Sequence, residues 1–289
     1  MAFARLTGQT GFLARAAGVA SDSSSYVLKT RLRVAPMKFP SRTVPFSTST
    51  TLQCANHNSS ADTPSANTPN AKTHTDDGEP LDRYATALRN NKEWAAQTAR
   101  EFPDLFPTLA TGQTPQILWI GCSDSRCPET TFLGLKPGDV FVHRNIANVL
   151  HPGDLSSAAA IEYAVQYLRV QHVIVCGHTA CGGVAAAMGN KNLGILDPWL
   201  LPLRQLRERN LELLQTLSPE EAAMKLAELN VREGLNIVKQ KGVVLNAIQE
   251  RGLQLHGLIY DVGSGVLSEL DTEDSEEVIR ARLTAFKTE

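Results

Sequence analysis

Three short apolar runs constrain this chain more than any other feature, since two of them stop where glycine, cysteine and histidine meet. They are "QILWIGC" (116–122), "GDVFVHRNIAN" (138–148) and "QHVIVCGH" (171–178). The first and third, short apolar runs, read as buried strands, and 138–148 reads as another strand between them. Helical patterns separate and follow them. "LDRYATALRNNKEWAAQTAREF" (81–102) spaces Tyr84, Leu88 and Trp94 at helical intervals and contains neither Gly nor Pro. Residues 154–168 form a second pattern, capped by Asp154 or Ser156. Further helices are expected at 199–216 and 219–241, and a late strand at 255–262. Strands alternating with helices specify an α/β fold, a mostly parallel central sheet flanked by helices. No internal repeat is visible.

The ends of the chain differ in composition. Residues 1–50 hold seven Lys or Arg and one acid, Asp22, leaving 21 basic and 29 acidic residues for the rest. The first segment is Arg-rich, Ser/Thr-rich and nearly acid-free, and it lacks a compact apolar stretch. It reads as a mitochondrial transit peptide, which places the protein in the mitochondrial matrix. Residues 51–80 are polar and too poor in apolar side chains to offset their ordering entropy, so they are expected to be a disordered linker. Cys54, His57 and His74 fall in that tract and are read as passengers. Residues 81–289 remain as one domain. No apolar run approaches the ~18 residues of a membrane span, so no membrane partner is expected. A body this acidic also argues against nucleic acid. Five cysteines, an odd number, point to metal or catalytic use in a reducing compartment.

Functional groups in parallel α/β sheets gather beyond the carboxyl ends of the strands. Cys122 closes the first run and His178 the third, with Cys181 three residues on in "HTACGG". H-x-x-C offers a nitrogen and a sulfur to one ion, and a cysteine from another strand end completes a Cys2His set, a catalytic zinc pattern with its fourth position open. Rival readings fail on spacing. The C-x-x-x-R of Cys122 and Arg126 is shorter than a phosphatase loop, and Cys122 and Cys127 are too far apart for a C-x-x-C redox pair. Cys127 and Cys176 read as packed structural residues. Asp124, two residues from Cys122, can occupy the fourth metal position, and Arg126 can hold it away in a bidentate pair. The alternative for that pair is a simple loop salt bridge.

"CSDSR" (122–126), "FVHRNIAN" (141–148) and "CGHTACGG" (176–183), in this order and spacing, resemble the β-class carbonic anhydrases. The resemblance runs from about Leu81 to Leu270. It implies one zinc per subunit on Cys122, His178 and Cys181, with Asp124 as an alternating fourth ligand and Asp124 and Arg126 as a catalytic dyad. The implied reaction is reversible hydration of carbon dioxide to bicarbonate and a proton, by attack of zinc-bound hydroxide. The resemblance also implies that Gln113 and the Gly182 N–H bind bicarbonate, and that Phe141 and Tyr163 form an apolar wall supplied by a neighbouring subunit. The assembly is then a homodimer or homotetramer, with the N-terminal helical arm packed on a partner. Trp119, Arg144 and Tyr260 resemble the set that forms a second, regulatory bicarbonate pocket in the bacterial-like subgroup. Read from the residues alone, Phe141, Tyr163, Trp119 and Tyr260 are core positions, Gln113 a surface side chain, and Arg144 a partner for a carboxylate. Two other functions fit the same motifs: hydrolysis of a CO2-like molecule such as carbonyl sulfide or carbon disulfide, and a non-catalytic module stapled by zinc.

Overall fold

The computed structural model describes residues 82–286. The expected transit peptide and linker lie outside the described residues. Strand β1 (Ile117–Cys122) occupies the middle of a sheet with β2 (Val140–Asn145) on one side and β3 (His172–His178) on the other, both parallel to it. Next to β3 runs β4 (Gln254–Tyr260), also parallel, and then β5 (Leu267–Leu270), antiparallel. The sheet order is β2-β1-β3-β4-β5.

Strands β1 and β3 are buried on both faces because each face meets a different layer, whereas β2 is half-buried along its length with Val142 exposed. Leu118, Ile120, Val173 and Val175 point into the larger core with residues of α5 (Gly182–Met188), α6 (Leu196–Arg209) and α8 (Pro219–Lys239). The alternate residues Trp119, Ile174 and Cys176 form a smaller cluster with Cys127 and Tyr260. Period-two alternation thus splits one continuous apolar run between two cores.

Several helices begin where the sequence supplies a cap. Asp154 caps α4 (Leu155–Glu162) through the amides of Ser156 and Ser157. Ser218 and Glu221 form a capping box at α8, with Pro219 in the first turn; such caps contribute about 1 kcal/mol each. Some expected elements are subdivided. The 154–168 helix turns into a π segment at Tyr163–Tyr167. The 199–216 helix breaks at Asn210 into α6 and α7 (Leu211–Gln215). The 219–241 helix stops at Lys239, and α9 (Gly242–Arg251) follows. Also present are α2 (Leu105–Thr111), α3 (Glu129–Phe132) and α10 (Glu276–Phe286).

The N-terminal helix α1 (Arg83–Glu101) is amphipathic yet buries none of its residues, and Tyr84, Leu88 and Trp94 are exposed. Trp94 meets Phe106 edge-on at 5.8 Å, while Tyr84 and Leu88 stay exposed among the described residues. Among these no helix is long and apolar enough to cross a membrane.

Candidate metal centre

Parallel pairing brings the carboxyl ends of β1 and β3 side by side, and with them Cys122 and His178. A tight turn then returns Cys181 to the same place; Ala180 makes it by adopting a left-handed φ of 54°. One ligand atom from each of these three buried side chains lies within 4.8 Å of the other two. Ligands 2.0–2.3 Å from a tetrahedral ion sit about 3.3–3.8 Å apart, within the 4.8 Å spread of these atoms, so the set can close on one small cation.

The chemistry of the donors agrees with that fit. His178 Nδ1 lies 2.9 Å from the Thr179 carbonyl. A carbonyl only accepts, so Nδ1 carries the proton and Nε2 keeps its lone pair. That Nε2 is buried and has no hydrogen-bond partner among the described residues, an arrangement costing about 1–3 kcal/mol unless something binds there. Cys122 Sγ accepts from the amides of Asp124 (3.4 Å) and Ala147 (3.3 Å). The hydrogen bond from Cys181 pulls the Cys122 thiol down to about 4, against burial. The same bond and burial push the Cys181 thiol up. One proton is therefore shared by two sulfurs, and a cation would displace it.

Ala147 holds its amide toward Cys122 by adopting φ 61°, and Asn148 follows at φ 44°. Left-handed backbone costs a residue with a Cβ about 1–2 kcal/mol. The turn is clamped from three helices. Asn230 Nδ2 of α8 donates to the Ala147 carbonyl at 2.9 Å, and Trp199 Nε1 of α6 to that of Ile146 at 2.9 Å. Gly183 of α5 lies so close that a Cβ there would stand 2.7 Å from the Ala147 Cβ. Asn230 is 4% exposed, and no motif in the sequence around it marks it as part of the site.

Asp124 faces the cluster. Its Oδ2 is 3.9 Å from His178 Nε2. Arg126 holds the carboxylate through Nε–Oδ1 at 2.9 Å and Nη2–Oδ2 at 2.7 Å, and Nη2 also donates to the Ala180 carbonyl at 3.1 Å. The Arg126 hydrogen bonds keep Asp124 well below the usual carboxylate range although burial opposes them. Gly182 opens α5, where a first-turn amide has no partner within its helix, and a Cβ on it would meet nothing within 4 Å.

The remaining expected residues lie elsewhere. Gln113 sits on the exposed segment before β1, at the opposite end of that strand from Cys122. Phe141 pairs in register with Leu118, four residues short of Cys122, about 13 Å along the strand. Its ring is 5.7 Å from that of Tyr163, which is itself 5.7 Å from Tyr167. The chain does not bring Gln113, Phe141 and Tyr163 to its own cluster.

Around Trp119, Arg144 and Tyr260 the space is shared with two residues outside the expected set. Phe132 stacks on Tyr260 at 4.4 Å and meets Trp119 edge-on at 5.7 Å. Arg144 donates to the carbonyls of Cys122 (2.7 Å) and Asp124, and the buried Glu129 carboxylate is 3.7 Å from its Nη1. Arg144 thus fastens the 122–124 loop. An anion between these residues would have to displace Phe132 and compete with Glu129.

Comparison with known proteins agrees with this geometry. The family described as "Carbonic anhydrase" matches residues 117–267. A carbonic anhydrase of Emericella nidulans is 43% identical over 190 residues, covering 64% of this chain and 82% of that protein. The crystal structure of a β-carbonic anhydrase of Aspergillus fumigatus is 69% identical, with a TM-score of 0.71 over 72% of this chain and 100% of the other. A structure from work on two tetrameric β-carbonic anhydrases of Sordaria macrospora is 47% identical, with a TM-score of 0.66 over 68% of this chain and 100% of the other. By fold, by the cysteines and histidine at its strand ends, and by these relatives, the chain belongs to the β-class carbonic anhydrases.

Proposed function

We propose that this carbonic anhydrase hydrates carbon dioxide reversibly to bicarbonate and a proton, with one zinc ion per chain on Cys122, His178 and Cys181. The observation that carries the reading is the buried Cys2His set with Asp124 poised 3.9 Å from the free His178 Nε2. Zinc in such a set would supply Lewis acidity that lowers the pKa of water to about 7.

The chain's own groups do the rest. Cys122 and Cys181 contribute thiolate charge, and the amides of Asp124 and Ala147 share the negative charge on Cys122. Arg126 keeps Asp124 ionised and turned aside, so its carboxylate can accept a hydrogen bond from the attacking oxygen instead of occupying the fourth ligand position. The Gly182 amide and the open space beside it offer a donor to bicarbonate.

Gln113, Phe141 and Tyr163 cannot line this chain's own centre from the other end of the strands. That separation supports a homodimer in which a second copy supplies the apolar wall and the glutamine, with α1 laid across it. The tetrameric Sordaria relatives support pairing of such dimers. The basic, acid-poor segment 1–50 supports import into the mitochondrial matrix.

Stopped-flow measurement of CO2 hydration by the zinc-loaded full-length chain tests the reading. Turnover of carbonyl sulfide or carbon disulfide in preference to CO2, or no acceleration with zinc bound, overturns it. Mixing Cys181→Ser chains with Phe141→Ala, Tyr163→Ala chains should restore activity if the wall crosses between copies.

A further inference from the structure

At the amino edge of the sheet, opposite the metal centre, the turn entering β3 faces the turn between α9 and β4. The Gln254 amide donates to the Gln171 carbonyl at 3.0 Å, and Arg251 reaches the carbonyls of Val170 and Val165. Between the turns lies a cavity of 420 Å³ lined by Arg169, Gln171, His172, Arg251, Gly252 and Gln254. The lining contains two arginines and no carboxylate, in a body carrying 29 acids against 21 bases. Among the described residues no carboxylate pairs with either arginine. Burial and the charge of Arg169 hold the Arg251 guanidinium below its usual range, with Glu250 the one acid acting in the other direction. Two like charges converge on a hollow, and none of the described carboxylates forms an ion pair with either.

Two further features point at the same place. Arg169 adopts φ 56°, a left-handed backbone that costs a side-chain-bearing residue about 1–2 kcal/mol, yet glycine does not occupy the position. His172, on the cavity wall, is the end of a chain of side chains from three strands. Its Nδ1 is 3.1 Å from His256 Nε2, and His256 Nδ1 is 2.8 Å from Glu269 Oε1. These contacts link His172 on the cavity wall to a carboxylate two strands away.

We propose that this cavity binds the phosphate group of a small phosphate monoester. Guanidinium forks match the oxygens of a phosphate bidentately, and only two of the five Arg251 N–H groups are engaged by carbonyls. The volume is that of a small-metabolite site rather than of a bare ion. Gln171 and Gln254 supply neutral amides for the esterified group.

Titration calorimetry of the zinc-loaded full-length chain, at fixed ionic strength, with inorganic phosphate and with adenosine monophosphate tests the proposal. One site per chain is expected, with the monoester the tighter ligand. Arg169→Gly, which keeps the left-handed backbone accessible, should weaken it by about tenfold or more, and Glu269→Gln should weaken it by a smaller factor. Cys181→Ser should leave it unchanged, since the metal centre lies at the opposite edge of the sheet. Binding of phosphate without the monoester overturns the ester assignment. No saturable binding, binding indifferent to Arg169→Gly, or binding lost in Cys181→Ser overturns the site itself.

Discussion

Arg126 grips Asp124 through two parallel hydrogen bonds of 2.9 and 2.7 Å, and the same Nη2 is tied to the Ala180 carbonyl between His178 and Cys181. The arginine thus ties the carboxylate to the turn between His178 and Cys181. In Arg126→Ala the carboxylate is released 3.9 Å from His178 Nε2 and is free to turn onto the metal. Activity is expected to fall by about 100-fold while zinc stays at one per chain. Lost zinc would show instead that Arg126 acts by holding the loop together.

The four cysteines among the described residues divide by environment. Cys122→Ser, His178→Ala and Cys181→Ser should each lose zinc. Cys127→Ser and Cys176→Ser should keep it, since both thiols pack with Trp119, Ile174 and Tyr260 and burial pushes them up, Cys127 to about 11. Elemental analysis of the purified variants decides between the two groups.

Asn230 carries a prediction of its own. Asn230→Leu removes the donor from the buried Ala147 carbonyl and frees a strained turn whose amide faces Cys122. Stability should drop by about 1–3 kcal/mol, and metal affinity, read by chelator competition, by about 10- to 100-fold. A stability loss with unchanged affinity would confine Asn230 to packing.

Acid should loosen the clamp on the C-terminal helix. Burial disfavours the Asp274 charge, but hydrogen bonds from Arg282 and Lys239 outweigh it and lower its pKa. A carboxylate depressed in the folded state stabilises fully above its unfolded value of about 3.9, and that contribution disappears as pH falls through the folded value. Melting temperature should therefore decline from about pH 4 downward, less steeply in Asp274→Asn. That variant should lose about 1–3 kcal/mol at neutral pH. Parallel pH profiles for the two proteins would count against the clamp.

A reporter carrying residues 1–60 should enter mitochondria, and replacing Arg5 and Arg15 by Glu should weaken import. Fluorescence microscopy and fractionation give the answer. A reporter left in the cytosol refutes the assignment.

Strands β1 and β3 were legible because buried parallel strands need unbroken apolar runs, and Cys122 and His178 stood out as candidate ligands because they end those runs. Strand β5 was not legible. Its four residues are half-buried or exposed on an antiparallel edge, so no apolar run marks it. The split at Asn210 and the π segment at Tyr163 arise from packing that local spacing does not encode. Asn230 lies among the buried Leu226, Ala227 and Val231 of an amphipathic helix, where a polar residue in sequence reads as a lapse in the pattern. Glu129 was hidden likewise, since its burial depends on Arg144 from a different strand.

The two halves of the metal-ligand set stand 56 positions apart in the chain and meet only because β1 and β3 are neighbours. An unfolded chain has the H-x-x-C pair but not its third ligand. A bound cation therefore favours the folded state by mass action, about 2.7 kcal/mol when free metal stands at 100 times its dissociation constant. Withdrawing metal with a chelator would then do more than silence the enzyme. It would lower the melting point of the sheet, and the chain could recover its metal only after β3 had docked on β1.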